Sequence, residues 1–573
     1  MPVHNEEISD ILEKTADLLE IKGDNPFRIR AYRNAARTVA SLTHNLVDMV
    51  NQGQDLSHLP GIGKDLAGKL EEITKTGTFT LLKQLEKEMD IDIMTLGKIR
   101  TLGAQRIKIL YKKLGVHNIK DLEKVVKQKK VRALEGFGEK TEKAILDGIK
   151  RLKSMEFQIM LFKAERIAHD LVSYLRHDKD IYDIIEAGSF RRKKETIKDL
   201  DILVTCKDPM KIMKKFAKYE DVVKVDSLGE KKSSVFLRQG LQADLRIVPR
   251  QSYGSALHYF TGSKEHNIAV RNIAVKKKLK INEYGVFKNE KQVAGKTEKS
   301  VYEQVGLPYI EPELRENRGE IELGLKNKLP KLVTLEDIKG DLHLHSNYSD
   351  GSNTIKEMAL AAKEFGHEYI AITDHSKRVT VANGLDEKRL YKQIKEIDKL
   401  NESISGITVF KGIEVDILEN GKLDLPDSIL KELDVVVCAV HSKFNLSYEK
   451  QTERILRAMD NPYFNILAHP TGRLINQRAA YEVDIERIIK KAKHAGCFME
   501  LNAHPDRLDL NDVHCMTAKE NGVKVAISTD AHSAQGLKFL RFGINQARRG
   551  WISSKDVINT RSLTELKKLL KRK

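Results

Sequence analysis

Asp199-Leu200-Asp201 opens an apolar run, and Asp244 opens another, Asp244-Leu245-Arg246-Ile247-Val248. On a strand, side chains at i and i+2 share one face. Two carboxylates so close repel unless a cation lies between them. With Asp244 as a third oxygen donor, the set suits two Mg2+ (or Mn2+) ions. Such a pair can activate a hydroxyl and stabilise a departing pyrophosphate, so the chemistry implied is nucleotidyl transfer. Gly188-Ser189-Phe190-Arg191-Arg192 runs just ahead of the aspartates. It places Ser189 and Arg192 to hold a triphosphate. A single aspartate at a strand end is commonplace, but the combined Gly-Ser…Asp-x-Asp…Asp set is not.

A second constellation lies near the other end. Asp341-Leu342-His343-Leu344-His345-Ser346 puts two imidazoles on one strand face, and Asp350 follows in a Ser-Asp-Gly turn. His375, Glu414, His441, His469, Asp530 and His532 each fall at or near the C-terminal end of an expected strand. In a parallel barrel those ends converge on one mouth. Nine ligands, six of them histidines, exceed what one ion needs, so two or three are implied. A mixed nitrogen and oxygen set suits Mn2+, Zn2+ or Fe2+ better than Mg2+. Water made acidic by such ions attacks phosphate esters. His367, His494, His504 and His514 fit no strand-end pattern.

The elements that must carry these groups follow from texture. The first ~155 residues read as amphipathic helices broken by Gly-centred turns. Strand-like runs begin near Ile181. Pro308, Pro312 and Pro330 among charged residues mark a linker region. Beyond it, strands alternate with helical stretches at about 341–346, 369–374, 407–418, 434–441, 465–469, 497–502 and 524–530, the pattern of an α/β barrel. The expected domains are 1–85, 86–155, 156–250, 251–318, a linker at 319–335, and 336–573.

Leu59-Pro60-Gly61-Ile62-Gly63-Lys64 has the form of a helix–hairpin–helix turn, in which glycines bring backbone N–H groups and a helix N-terminus onto a phosphate. Leu134-Glu135-Gly136-Phe137-Gly138 repeats it, and Thr101-Leu102-Gly103-Ala104 is a degenerate third copy. Repetition matters because phosphate contacts add along a duplex. Such hairpins grip DNA without reading its sequence. The charge agrees. Of the net +18, residues 1–335 carry 63 Lys and Arg against 48 Asp and Glu, and the remainder 37 against 34. A positive excess confined to one part is the footprint of a polyanion partner.

The hairpins, Gly-Ser-Phe-Arg-Arg…Asp-x-Asp, Ala-Asp-Leu-Arg, Tyr259-Phe260-Thr261-Gly262-Ser263, Ile281-Asn282-Glu283-Tyr284 and Gly306-Leu307-Pro308-Tyr309 together resemble the family X DNA polymerases, from near residue 8 to about 315. The resemblance implies a small N-terminal domain, helix–hairpin–helix fingers, an α+β palm and a thumb, with dNTPs and gapped or primed duplex DNA as substrates in base-excision repair. It implies that Tyr259 and Phe260 line the sugar pocket and favour deoxynucleotides, that Gly262 is among the substrate-binding residues, that Asn267 faces the incoming base or sugar in the minor groove, and that Arg271 meets the templating base. It further implies that Arg28, Arg33 and Lys69 bind a downstream 5′-phosphate, with Lys69 as the nucleophile of a 5′-deoxyribose-phosphate lyase. The nine-ligand set resembles the polymerase-and-histidinol-phosphatase (PHP) family over about 338–570, a distorted TIM-like barrel. The fusion resembles the bacterial and archaeal PolX enzymes, which implies a Mn2+-dependent 3′–5′ exonuclease, in some members with abasic-site endonuclease activity.

Two other readings share parts of this pattern. One is a template-independent nucleotidyltransferase with a small-molecule phosphatase attached, against which the hairpins and thumb motif argue. The other is a polymerase whose PHP domain is purely structural, against which the complete ligand set argues. Four cysteines (Cys206, Cys438, Cys497, Cys515) without CxxC spacing indicate a reducing cytoplasm and no zinc finger. No apolar run is long enough to span a membrane, the first residues lack a secretory signal, and a monomer is the expected state.

Overall fold

The computed structural model describes residues 5–42, 46–59, 61–97, 99, 101–154 and 158–571. The chain divides into two compact units, the first formed essentially by residues 1–156 and the second by the rest. No helix among the described residues is long and apolar enough to cross a membrane.

The first unit is helical and built around one apolar core that includes Leu12, Leu19, Tyr32, Leu70, Ile73, Leu110 and Ile145. Its three hairpins are the same turn made three times. The amide of Ile62 donates to the Leu59 carbonyl at 3.0 Å, that of Leu102 to Ile99 at 2.7 Å, and that of Phe137 to Leu134 at 3.1 Å. The middle residue, Ile62, Leu102 or Phe137, is buried each time and anchors the turn to the core. Gly63 and Gly103 then cap the helices Lys64–Thr76 and Ala104–Leu114 with no side-chain bond of their own, leaving first-turn N–H groups free for an anion. Gly136, at φ +79°, and Gly138 lead into the helix Glu139–Ser154 in the same way. Pro60 lies outside the described residues.

The second unit joins palm, thumb and barrel. The palm sheet contains β1 (Ile181–Glu186), β2 (Asp199–Cys206), β3 (Val222–Leu228), β4 (Lys232–Leu237) and β5 (Gln242–Ile247), in the order β1-β2-β5-β4-β3. β2 and β5 run parallel and the other neighbours antiparallel. The thumb holds a three-stranded meander, β6 (Lys280–Asn282), β7 (Gly285–Lys288) and β8 (Lys291–Ala294), with the helices Lys264–Lys276 and Glu298–Val305. The proline-marked segment after it is not a loose connection. It contains the helix Glu320–Leu325, and the fully buried Glu320 accepts from His266 Nδ1 at 2.7 Å. That side-chain bond to the thumb fixes the segment, and composition alone could not show it.

The barrel is seven parallel strands in sequence order: β9 (Gly340–Leu344), β10 (Tyr369–Ile372), β11 (Thr408–Asp416), β12 (Val435–Ala439), β13 (Ile466–Leu467), β14 (Phe498–Asn502) and β15 (Val525–Ser528). The chain after β15 bridges back to β9 at Ala531 and Leu344, so the ring is nearly closed. One apolar cluster unites Tyr369, Ala371, Phe410, Val437, Ile466, Phe498 and Ala526 with Leu566 and Leu570 of the C-terminal helix. Going up the same strand faces by twos, Ala371 leads to Thr373 and His375, Phe410 to Gly412 and Glu414, and Val437 to Ala439 and His441. An apolar base and a ligand-lined mouth are thus one alternation pattern continued.

Candidate functional site

In the palm, Asp201 on β2 is the direct partner of Asp244 on β5, and Asp199 pairs with Gln242. Parallel pairing places all three carboxylates at one end of adjacent central strands. Asp244 is buried, while Asp199 and Asp201 are half-buried. Burial, then the Asp199 charge, pushes the Asp201 carboxyl up to about 6. Burial also raises Asp244, but Lys232, Gln242 and Ser234 outweigh it and hold that carboxyl low. Lys232 Nζ lies 2.7 Å from Asp244, and Arg246 reaches 3.8 Å from Asp201 and 3.7 Å from Asp244. Three crowded carboxylates are an oxygen-donor set that suits divalent ions, which would take the place Lys232 and Arg246 now hold beside them, so the residues fit the expected metals.

Gly188, at φ +59°, begins the turn Gly188–Arg191 directly against Asp201. A Cβ there would meet Asp201 Oδ2 at 2.5 Å, so only glycine lets the turn approach the carboxylate. Ser189 is half-buried on this turn. Arg192 is buried, donating to the Thr261 carbonyl at 2.5 Å and to Glu316 at 3.1 Å. Tyr259 and Phe260 meet edge to face at 5.1 Å, and the Arg246 guanidinium lies 4.3 Å over the Phe260 ring. Asn267 donates to the Tyr259 carbonyl at 2.7 Å, and Arg271 donates to the Asn267 carbonyl at 3.4 Å. Gly262, at φ +70°, closes the helix Tyr253–Thr261 beside Arg192.

The small-domain residues stand differently from the expected phosphate pocket. Arg28 pairs with Asp24 at 3.0 Å, and Arg33 with Asp17 at 3.0 Å and Glu20 at 2.5 Å. Lys69 pairs with Asp65 at 2.5 Å and lies 5.4 Å over the Tyr32 ring. Each cation therefore has its own carboxylate, which a 5′-phosphate would have to displace. Burial lowers the Lys69 pKa, but Asp65 and Tyr32 more than reverse it, leaving the amine above its ordinary value. A Schiff-base nucleophile needs the opposite shift. Local acidic partners set this environment, and the spacing from Leu-Pro-Gly-x-Gly could not reveal them.

The barrel brings all nine predicted ligands to one mouth. Among the described residues, three sets each gather ligand atoms within 4.8 Å: His345, Asp350, His375 and His532; His343, His345 and Asp530; His375, Glu414 and His441. His345 and His375 are shared, so the sets are contiguous. His469 Nε2 joins them at 3.0 Å from Glu414. His343 Nε2 is buried without a hydrogen-bond partner, 3.6 Å from both Glu414 and Asp530. Those gaps are too long for hydrogen bonds but match ligands meeting on a common cation. His345 Nδ1 and His441 Nδ1 are likewise buried without such a partner. Burial, then His532 and His375, drives the His345 pKa down to about 3. His441 is raised to about 9, Glu414 and Asp416 overcoming its burial. This set fits metal ions.

Sequence reasoning expected the sixth strand but missed what it brings to the site. Glu500 Oε1 lies 2.7 Å from His343 Nδ1, and its other oxygen accepts from the His469 amide at 2.7 Å. Asn502 links Glu500 to Asp530 at 3.2 and 3.0 Å. The available signal was an acid and an amide at i and i+2 of an otherwise apolar strand, Phe498-Met499-Glu500-Leu501-Asn502.

Residues 3–79 match the helix-hairpin-helix domain family and 93–151 the SAM-like helix-hairpin-helix tandem. Residues 256–316 match the DNA polymerase beta thumb and 341–504 the PHP domain. The whole chain is 39% identical over 577 residues to the DNA polymerase/3′-5′ exonuclease PolX of Bacillus subtilis (strain 168), with 100% of both chains covered. The chain belongs to the PolX family. It thus joins a family X polymerase core with a PHP domain, as its motifs suggested. The C-terminal part is also 32% identical over 244 residues to a probable phosphatase of Thermoanaerobacter sp. (strain X514), spanning 41% of this chain and 94% of that protein. A probable phosphatase of Caldanaerobacter subterraneus subsp. tengcongensis is 34% identical over 203 residues, 34% of this chain and 75% of that one.

Proposed function

We propose that this chain is a DNA-directed DNA polymerase that fills short gaps in base-excision repair, and that its PHP domain trims the same 3′ ends as a 3′–5′ exonuclease. The observation that carries the synthetic half is the pairing of Asp201 with Asp244 beside Gly188. Asp199, Asp201 and Asp244 would hold two Mg2+ or Mn2+ ions, which when bound supply an activated primer 3′-oxygen and a stabilised pyrophosphate. The chain's own groups do the positioning. Ser189 and Arg192 face the triphosphate, Tyr259 and Phe260 wall the sugar, and Asn267 holds the Tyr259 carbonyl in place. Arg271 meets the templating base.

In the barrel His343, His345, Asp350, His375, Glu414, His441, His469, Asp530 and His532 would hold two or three Mn2+, Zn2+ or Fe2+ ions, which when bound supply an acidic water as nucleophile. Glu500 accepts from His343 and fixes its ring. In the small domain, Arg28, Arg33 and Lys69 would turn to a downstream 5′-phosphate once it displaces their carboxylates. Lyase and abasic-site endonuclease activities rest on the resemblance alone.

The test separates the two centres. Asp201→Ala should abolish primer extension on a gapped duplex and spare 3′-end degradation, and His343→Ala should do the reverse. Loss of both activities from either change, in a protein that still folds, would sink the two-site reading. The likeness to probable phosphatases favours a second PHP activity, release of phosphate from a blocked 3′ end. Phosphate release from a 3′-phosphorylated primer, absent in His343→Ala, checks it.

A further inference from the structure

The PHP domain is built into the polymerase site. Two of its arginines bind the stretch that links the Gly188 turn to Asp199, and a third pairs with a carboxylate beside it. Arg549, on the helix Leu540–Arg549 and 3% exposed, donates to the Arg192 carbonyl at 2.8 Å and to Glu316 Oε1 at 2.9 Å. Arg473 pairs with both oxygens of Glu195, at 3.1 and 2.7 Å. Arg541 pairs at 2.6 Å with Glu165, which also lies 3.7 Å from Lys193. Apolar contact backs these bonds. Ile475, Leu508 and Phe542 belong to the palm's own core cluster, and Phe162 meets Phe539 and Phe542 edge to face at 5.7 and 5.6 Å.

Glu316 Oε1 is the decisive atom. It accepts from Arg192 Nε at 3.1 Å and from Arg549 at 2.9 Å, so two guanidiniums share one carboxylate oxygen. Asp512, at 2.7 Å, anchors the other side of Arg549. Without Arg549, Glu316 would be left with Arg192 as its guanidinium partner, and the balance that sets the Arg192 side chain would change. The Arg192 carbonyl would also lose its buried donor.

We infer that Arg549 is a positioning residue for DNA synthesis, through which the PHP domain holds Arg192 and the Gly188–Glu195 stretch in register for the incoming dNTP. This rests on the reading of Arg192 as a triphosphate contact. The two domains are then not merely tethered. The nuclease domain forms one wall of the polymerase.

The experiment uses the full chain with Arg549→Gln, Arg192→Gln and Glu195→Ala, measuring kcat and KM for dNTP on a gapped duplex and 3′-end degradation in parallel. Arg549→Gln should raise KM for dNTP by about tenfold or more, the loss expected when a charge-assisted bond to a ligand is misplaced, with a smaller change in kcat. Degradation should stay at the wild-type rate, showing that the PHP domain is folded. Glu195→Ala, which breaks the Arg473 link from the palm side, should raise KM in the same sense. Unchanged KM in Arg549→Gln, with Arg192→Gln raising it, overturns the positioning inference alone. Unchanged KM in Arg192→Gln overturns the triphosphate reading beneath it. If Arg549→Gln loses degradation too, Glu195→Ala decides, and an unchanged KM there overturns the inference.

Discussion

Nδ1 of His343 lies 2.7 Å from Oε1 of Glu500, and neither side chain has any exposed surface. A carboxylate behind a ligating imidazole fixes its tautomer and aims its other nitrogen, here at the gap between Glu414 and Asp530. Glu500→Gln should therefore weaken metal binding rather than remove it, by roughly 10–100-fold. A Mn2+ titration of 3′-end degradation would show the curve displaced to higher metal with its plateau largely recovered. An unmoved midpoint would mean that Glu500 serves only the fold.

Gly188→Ala should be severe in synthesis and silent in degradation. The new methyl would lie 2.5 Å from Asp201 Oδ2, and the backbone is left-handed there at φ +59°. Overpacking of this kind costs about 1–3 kcal/mol, and the carboxylate is what must yield. Primer extension should fall by roughly 5- to 150-fold, one decade per ~1.4 kcal/mol. Extension at the wild-type rate would show that the turn can retreat from Asp201.

That both residue sets come together was legible because they sit at or near the ends of strands, in the barrel along an apolar alternation that continues into the site, as Ala371 does to His375 and Phe410 to Glu414. What escaped was whatever depends on a distant partner. Glu500 shares its strand with apolar neighbours and becomes meaningful only when β14 is set across from His343. Glu320 looked like one more charge in a linker until His266 was found beside it. Nothing in the local sequence marks Arg549, whose bonds to the Arg192 carbonyl and Glu316 form only where barrel, palm and thumb meet. Lys69 was named by the resemblance, and spacing could not show that Asp65 and Tyr32 hold its amine protonated against burial.

That lysine gives a direct prediction. Because Asp65 and Tyr32 hold the ammonium charged against the pull of burial, little free amine exists near neutral pH. Borohydride trapping of an abasic 5′-deoxyribose phosphate should be weak at pH 7 and should rise with pH into the alkaline range. Asp65→Asn should increase the neutral-pH yield. Efficient trapping at pH 7 that Asp65→Asn leaves unchanged would show that substrate binding remakes this environment.

The thumb supplies the pH prediction. Glu298 is buried and bonds Arg191 at 2.8 and 2.6 Å and Arg315 at 2.6 Å. Burial raises its pKa, but the two arginines outweigh that and hold the carboxyl at about 2, below the ordinary 4.5. A group depressed in the folded state contributes stability above its unfolded pKa, and that contribution drains away as pH falls toward the folded value. Glu298 therefore stabilises the second unit fully above about pH 5 and progressively less between about 4.5 and 2. Glu298→Gln, which leaves Arg315 buried opposite a neutral amide, should cost on the order of 3 kcal/mol at pH 7. In urea unfolding of the full chain, the gap between wild type and variant should be widest at neutral pH and narrow steadily below pH 4.5. A gap independent of pH would mean that the cost is one of shape rather than charge, and that the Arg191–Glu298–Arg315 set is not held by its ionisation.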